Sequence, residues 1–290
     1  MKGRFAPSPT GTLHLGNLRT ALLAWLFARS AGSEFVMRIE DLDDGRVRSE
    51  LAGEQLEDLA AIGLDWDGPV WVQSERSSAY SEALARLDTY ECFCTRAEIR
   101  EAASAAHGPV GAYPGTCRQL TSAQRAAHRA AGRTPAWRVR ATGEVVSFAD
   151  RVHGKCSGPV DDFVVRRNDS AFAYNLAVVV DDAAQGIEEV VRGADLLDST
   201  PRQIWLARAL GLPVAAYAHV PLVLGSDGRR LAKRHGDVTL RSVAPADAVA
   251  WMARSLGFDG PARAARDLLE RFDASALPRD PTVFAQERAS

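Results

Sequence analysis

Several short stretches of this 290-residue chain carry side chains whose types and spacing suit chemistry. In "PSPTGTLHLGN" (7–17), Pro7 and Pro9 stiffen a turn, while Gly11 and Gly16 let the backbone come close to a ligand. His14 to Asn17 fall where a helix is expected to start. Free N–H groups and the helix dipole favour a phosphate there, and His14 can donate a hydrogen bond to a phosphoryl oxygen. In "GRRLAKRHGD" (228–237), Arg229, Arg230, Lys233 and Arg234 form a basic loop. Such a loop can bring Lys233 against phosphates as charge develops in phosphoryl or nucleotidyl transfer. In "MRIEDLDD" (37–44), Glu40 and Asp41 follow an expected buried strand, where carboxylates often face a ligand crevice, and Glu40 suits an ammonium group. Arg192, in "VVRGADLLDSTPRQI", ends an apolar run and suits bidentate pairing with a substrate carboxylate. Tyr174 reads as core or as ligand wall. Taken singly, each stretch also has a plain reading: a capped turn, a solvated loop, a polar strand end, an internal ion pair.

The cysteines form a second constellation. "ECFCTR" (91–96) places Cys92 and Cys94 one residue apart, and alternate residues of an extended segment share a face. A disulfide between them would need strong distortion, whereas together they can hold one metal ion. Cys117 follows 23 residues after Cys94, in the turn "AYPGTC". Three thiolates favour zinc by softness. The residue types leave the fourth ligand open: His107, His153 and Cys156 are all chemically more usual than a tyrosine.

These side chains need elements to place them. Residues 2–5 read as a strand leading into the Pro/Gly turn. Leu15, Leu18, Leu22 and Leu26 then recur at helical steps beside Ala21 and Trp25, with Gly32 as the stop. "EFVMRIED" reads as a second buried strand, which completes a βαβ unit and predicts a parallel α/β sheet. "YNLAVVVDD" (174–182) and "EEVVRGADL" (188–196) read as further strands, and Ser199–Thr200–Pro201 as a helix start. Residues 92–157 hold all four cysteines, a helical stretch at 119–132 and the strand candidate "AWRVRA", and read as an insertion. Helical segments are expected near 245–257 and 262–272. The expected domains are 1–91 and 158–212 as halves of one catalytic unit, 92–157 as the insertion, and 213–290 as a basic loop with a mostly helical region. No apolar run approaches the roughly 18–20 residues that span a bilayer, and the amino terminus has no apolar signal core. A net charge of −2 means that any RNA partner must be held by a local basic patch.

Seven ordered stretches, "RFAPSPTGTLHLGNLRTAL", "MRIEDLD", "LDWD", "QSER", "VVVDD", "VRGADLL" and "LAKRHGD", resemble the glutamyl-tRNA synthetase group of the class I aminoacyl-tRNA synthetases. The resemblance runs from residue 2 to about 240. "HLGN" is similar to the HIGH signature and "RLAKR" to KMSKS. Ala232 stands in place of the usual Ser, Arg230 in place of the first Lys, and Asn17 in place of the second His. The resemblance implies a Rossmann-type catalytic domain that joins glutamate and ATP, with Mg2+, into glutamyl-adenylate. Carried over by position, Arg4, Ser8, Glu40, Tyr174 and Arg192 match the glutamate site; His14, Gly16, Asn17 and Lys233 match the ATP site, with His14, Asn17 and Lys233 in the catalytic signatures. The C-x-C and Y-x3-C spacing resembles a structural zinc site of the shorter relatives, which makes Tyr113 the fourth ligand beside Cys92, Cys94 and Cys117.

The chain ends about 50 residues beyond Lys233, so no anticodon-binding domain is expected. That matches a shorter branch of the family, which transfers glutamate to the queuosine at the wobble position of tRNA(Asp) rather than to a tRNA 3′ end. Two other readings share the motifs: a truncated enzyme charging the 3′ end of tRNA(Glu), and a catalytically silent RNA-binding paralogue. Having His14, Glu40, Arg192 and Lys233 together argues against the silent one. A cytoplasmic protein with no obligate protein partner is expected, with Arg229, Arg230 and Arg234 as candidates for a basic track toward the RNA.

Overall fold

The apolar spacing after the Pro/Gly turn builds a strand, a helix and a strand, as expected. In the computed structural model, which describes residues 1–43, 45–95, 97–99, 113–231 and 238–284, β1 spans Gly3–Phe5 and α1 spans Leu15–Ser30. Leu15, Leu18, Leu22 and Leu26 are at most 1% exposed, and each contributes roughly 1.5–3 kcal/mol by leaving water. Just past the helix, Gly32 takes a φ of +63°, which a residue without Cβ adopts easily. β2, Phe35–Ile39, returns parallel to β1.

The main sheet has seven strands in the order β3 (Trp71–Val72), β2, β1, β9 (Glu189–Gly193), β10 (Ala216–Val220), β6 (Val145–Asp150) and β7 (Gly154–Pro159). Every pairing is parallel except the β6–β7 hairpin at one edge. The chain leaves β1 toward β2 on one side, and β9 and β10 lie on the other. That reversal opens a crevice at the carboxyl ends of β1 and β9. One core packs α1 against helix Pro245–Ser255 and the 3-10 turn Ala265–Arg271; the other packs helices Ser77–Ala85, Tyr174–Ala184 and Thr200–Ala209 on the opposite face. β2 feeds both cores, with Phe35 and Met37 in one and Val36 in the other, so its sequence is apolar without alternation.

One expectation is corrected here. "YNLAVVVDD" is a helix, Tyr174–Ala184, not a strand. It buries Leu176, Ala177, Val178, Val179 and Asp181, so its apolar residues run together and show no helical period. Its valines cost only a few tenths of a kcal/mol each in helix propensity, which burial outweighs. The 92–157 segment contributes to two sheets. β6 and β7 extend the main sheet, while β4 (Thr89–Cys92), β5 (Ala136–Val139) and β8 (Val164–Arg166) form a separate three-stranded antiparallel sheet. β4 runs through residues 91 and 92 and β7 through 157 and 158, and Val146 and Val160 join the second core. Helix Thr200–Ala209 does start at the Ser199–Thr200–Pro201 signal. Among the described residues, no helix is long and apolar enough to cross a membrane.

Candidate active site

A cavity of about 570 Å³ opens at the crevice, and its wall includes Arg4, Ser8, His14, Asn17, Glu40, Tyr174 and Arg192. Four separate stretches of sequence, 4–17, Glu40, Tyr174 and Arg192, therefore converge on one space. Gly16 lies beside the wall rather than in it, and Lys233 and Arg234 lie outside the described residues. The flanks of their loop are held next to the helix start. Leu231 N–H donates to the Val223 carbonyl, Leu15 N–H donates to the Val238 carbonyl at 3.0 Å, and His14 bridges to Thr239.

His14 is the N-cap of α1. Its Nδ1 accepts from Gly16 N–H at 3.1 Å and Asn17 N–H at 3.3 Å, and the Asn17 side-chain oxygen accepts from His14 N–H. Because Nδ1 accepts, the neutral ring carries its proton on Nε2. Burial, and then the Arg230 charge, lower the pKa of His14 to about 4. Gly16 serves this cap: a Cβ there would lie 2.9 Å from His14 Cε1 and 3.3 Å from Val223 Cβ. The expected close approach to a ligand is therefore an approach to the imidazole.

Below the cavity floor lies a buried charge network. Arg4 pairs with Asp182 at 3.3 Å, and Arg38, fully buried on β2, pairs with Asp182 at 2.8 Å and Glu40 at 3.3 Å. Asp181 accepts from Gln73 at 2.9 Å, Arg76 at 2.6 Å and Tyr80 at 2.7 Å. Burial pushes the Glu40 carboxyl up, although Arg38 and Arg4 pull it down. Asp182 would also be raised by burial, but Arg4 and Arg38 outweigh that and hold it low. An ammonium at Glu40 would add to the Arg38 and Arg4 charges and offset the burial that raises this carboxyl. Asp41 takes no part in the wall; it accepts from Ser74 N–H at 2.8 Å and Ser74 O–H at 2.6 Å.

Arg192 is only 4% exposed and donates through all three nitrogens: Nε to His219 at 3.0 Å, Nη1 to Gln203 at 2.6 Å and to Tyr174 Oη at 3.4 Å, and Nη2 to Thr200 at 2.8 Å and the Leu196 carbonyl at 3.3 Å. The expected bidentate grip is therefore not preset. The long Nη1 bond toward half-exposed Tyr174 is the donor most easily turned to a carboxylate.

The three thiols also meet. Cys92, Cys94 and Cys117 bring their sulfurs within 4.8 Å of one another, with Cys94 and Cys117 at 3.4 Å. The Tyr113 hydroxyl lies 3.3 Å from Cys92 Sγ and 3.8 Å from Cys94 Sγ, and accepts from Cys117 N–H at 2.8 Å. The Arg138 guanidinium stacks 3.7 Å from the Tyr113 ring centre. His153 and Cys156 belong to the β6–β7 hairpin and are not in this cluster; His107 lies outside the described residues. Burial raises Cys94 to about 12 and raises Tyr113 as well. Burial would raise Cys92 too, yet the Tyr113 hydroxyl and the Arg138 charge bring it below its ordinary value.

Other side chains of the site were not singled out by sequence. Gln55, on helix α2 (Ser49–Ala61), donates to the Ser8 and Gly11 carbonyls at 3.1 and 2.7 Å and pins the turn. Arg230, expected in a basic track near the active-site mouth, lines the cavity and pairs with Asp195 at 2.5 Å. Arg38 carried a readable signal, because a charge inside a buried strand requires partners. Asp182, Gln55 and His219 carried none.

The description "tRNA synthetases class I (E and Q), catalytic domain" matches residues 1–251. A glutamyl-Q tRNA(Asp) synthetase of Nocardia farcinica is 59% identical, over 97% of this chain and 92% of its own length. One from Symbiobacterium thermophilum is 49% identical over 98% and 96%. A solved glutamate tRNA ligase from Elizabethkingia meningosepticum, in complex with its amino acid, superposes with a TM-score of 0.81 at 27% identity, over 98% of this chain and 67% of that one. The chain belongs to the class I aminoacyl-tRNA synthetases of the glutamate and glutamine group, on the branch of the glutamyl-Q tRNA(Asp) synthetases.

Proposed function

We propose that this protein activates L-glutamate with ATP, without tRNA, and transfers the glutamyl group to the queuosine at the wobble position of tRNA(Asp). The observation that carries the reading is the 59% identity over nearly the whole chain to a relative of that name. The cavity supports it by gathering an acid for the amino group and cations for the carboxylates and phosphates. In the first step a carboxylate oxygen of glutamate attacks the α-phosphorus of ATP, and pyrophosphate leaves. In the second, a hydroxyl of the queuosine cyclopentene diol attacks the activated carbonyl, and AMP leaves. Glu40 receives the ammonium; Arg4, Ser8, Tyr174 and Arg192 surround the amino acid. His14 donates from Nε2 to a phosphoryl oxygen beside Asn17, and Lys233 steadies the phosphates, with Mg2+ entering on ATP.

We infer further that Cys92, Cys94, Tyr113 and Cys117 hold a structural zinc ion. A tetrahedron with bonds of about 2.3 Å spaces its sulfurs about 3.8 Å apart, and the cluster needs only small shifts to match that. Four protein ligands leave no open position, so the ion would tie the cysteine-bearing segment to β4 and leave the chemistry to the cavity. A tRNA substrate puts the site of action in the cytoplasm.

Glutamate-dependent ATP–pyrophosphate exchange without tRNA should be observed, followed by glutamate transfer to tRNA(Asp) only when it contains queuosine. Transfer to queuosine-free tRNA(Asp), or to the 3′ end of tRNA(Glu), would overturn the reading.

A further inference from the structure

Three adjacent strands of the main sheet set one polar residue each in a row beneath the cavity: Asp150 at the end of β6, His219 on β10 and Arg192 on β9. His219 and Arg192 are direct register partners, and β10 also pairs with β6 beside Asp150. His219 is fully buried, and Asp150, Arg192, Thr200 and Gln203 are each at most 4% exposed.

The hydrogen bonds fix what each group must be. Asp150 Oδ1 accepts from the N–H groups of Val152 and His153, each at 2.9 Å, and Oδ2 accepts from His219 N–H at 3.1 Å. These donors favour the ionised carboxylate, which can only accept. The 2.7 Å contact from His219 Nδ1 to Asp150 Oδ2 therefore places the imidazole proton on Nδ1. Nε2 is left as a bare acceptor, which is what Arg192 Nε requires at 3.0 Å and what lets the Thr200 hydroxyl donate at 3.1 Å. A protonated Nε2 would set N–H against N–H between two cations.

The row also leaves Arg192 with an unusual electrostatic status. Arg4 and Arg38 are both neutralised by carboxylates, but among the described residues Arg192 has no carboxylate within ion-pair distance. His219, Gln203, Thr200, Tyr174 and the Leu196 carbonyl, all uncharged, take its N–H groups. Neutral acceptors orient a guanidinium without cancelling its charge, so the charge stays available to an incoming anion.

We propose that Asp150 and His219 are positioning residues: the carboxylate holds the imidazole in the Nδ1–H form, and the imidazole, with Gln203, orients Arg192 as an uncompensated cation for the substrate carboxylate. The proposal rests on the reading of the cavity as a glutamate site.

Two near-isosteric substitutions test it. Asp150→Asn can turn its amide oxygen to the backbone donors and its NH2 to His219, which moves the ring proton to Nε2 and breaks the bond to Arg192. Gln203→Glu leaves the shape alone and places a carboxylate beside Nη1. In glutamate-dependent ATP–pyrophosphate exchange, each variant should raise KM for glutamate at least tenfold while kcat changes less than about threefold and KM for ATP holds. Imidazole 15N NMR should show His219 Nε2 unprotonated in the wild type and protonated in Asp150→Asn. A protonated Nε2 in the wild type, or an unchanged glutamate KM in folded Gln203→Glu, would overturn the proposal. If Asp150→Asn does not fold, the wild-type tautomer and the Gln203→Glu kinetics decide. A wild type without glutamate-dependent exchange would instead sink the glutamate reading, and the tautomer would still judge the relay.

Discussion

His14 and Gly16 show how a signature can be a single local device. The imidazole caps α1 through Nδ1 and so exposes Nε2–H, and the glycine exists because any side chain would strike the ring. Gly16→Ala should displace the imidazole and slow adenylate formation by about a hundredfold, the scale of a misplaced catalytic group. Thermal unfolding should shift by only a few degrees. An exchange rate within threefold of wild type would show that His14 placement is not rate-determining. The helix start was legible because a cap and its first turn lie within four residues of one another, whereas Gly16 was read as room for a ligand rather than for the ring. Arg192 was legible as a cation at a strand end, but not as one whose donors are already taken by neutral partners.

The three-stranded sheet β4–β5–β8 is the element whose stability depends most on the thiol cluster. Val139 and Val165 anchor β5 and β8 in the second core, while the end of β4 and the segment that follows it rest on a small core of Tyr90, Cys92, Phe93, Tyr113 and Cys117. With zinc bound, a chelator should lower the unfolding midpoint, and Cys94→Ser should abolish zinc in metal analysis of the purified protein. Zinc retained at one equivalent in Cys94→Ser would exclude the proposed ligand set. The C-x-C pair was readable from strand alternation. The Tyr174–Ala184 helix was misread for the opposite reason, since its buried residues Leu176–Val179 run consecutively and display no period.

Across the whole molecule, buried titratable groups tie stability to pH. His14 and His219 are lowered in the folded state, so the unfolded chain takes up their protons first, and stability falls as the pH drops below about 6.5, for His14 until about 4. Asp150 and Asp182 are held below their ordinary value of 3.8. Their contribution is complete above that pH and is lost as the pH falls through their folded values. Glu40 is raised above 4.5 and acts with the opposite sign, gaining stability as it protonates. Asp58, also raised by burial, acts as Glu40 does, but the large lowering of His14 together with that of His219 leaves a net loss, so the melting temperature should fall by at least about 3 °C between pH 7 and pH 5, on a scale of about 2–4 °C per kcal/mol. A melting temperature unchanged across that interval would mean that both imidazoles protonate freely in the fold.

Chain-local patterns were enough for the βαβ opening, the capped turn, the acid after β2, the arginine near the end of β9 and the paired thiols. Each of these depends on residues a few positions apart, where helix and strand periods act directly. Partnerships across long sequence separations were decided only by tertiary structure: Arg38 with Gln185, Asp181 with Gln73, and Asp150 with His219. Those partners depend on which strands become neighbours. Neighbours are chosen by the need to bury both faces of one sheet at once, and no local pattern along the chain encodes that choice.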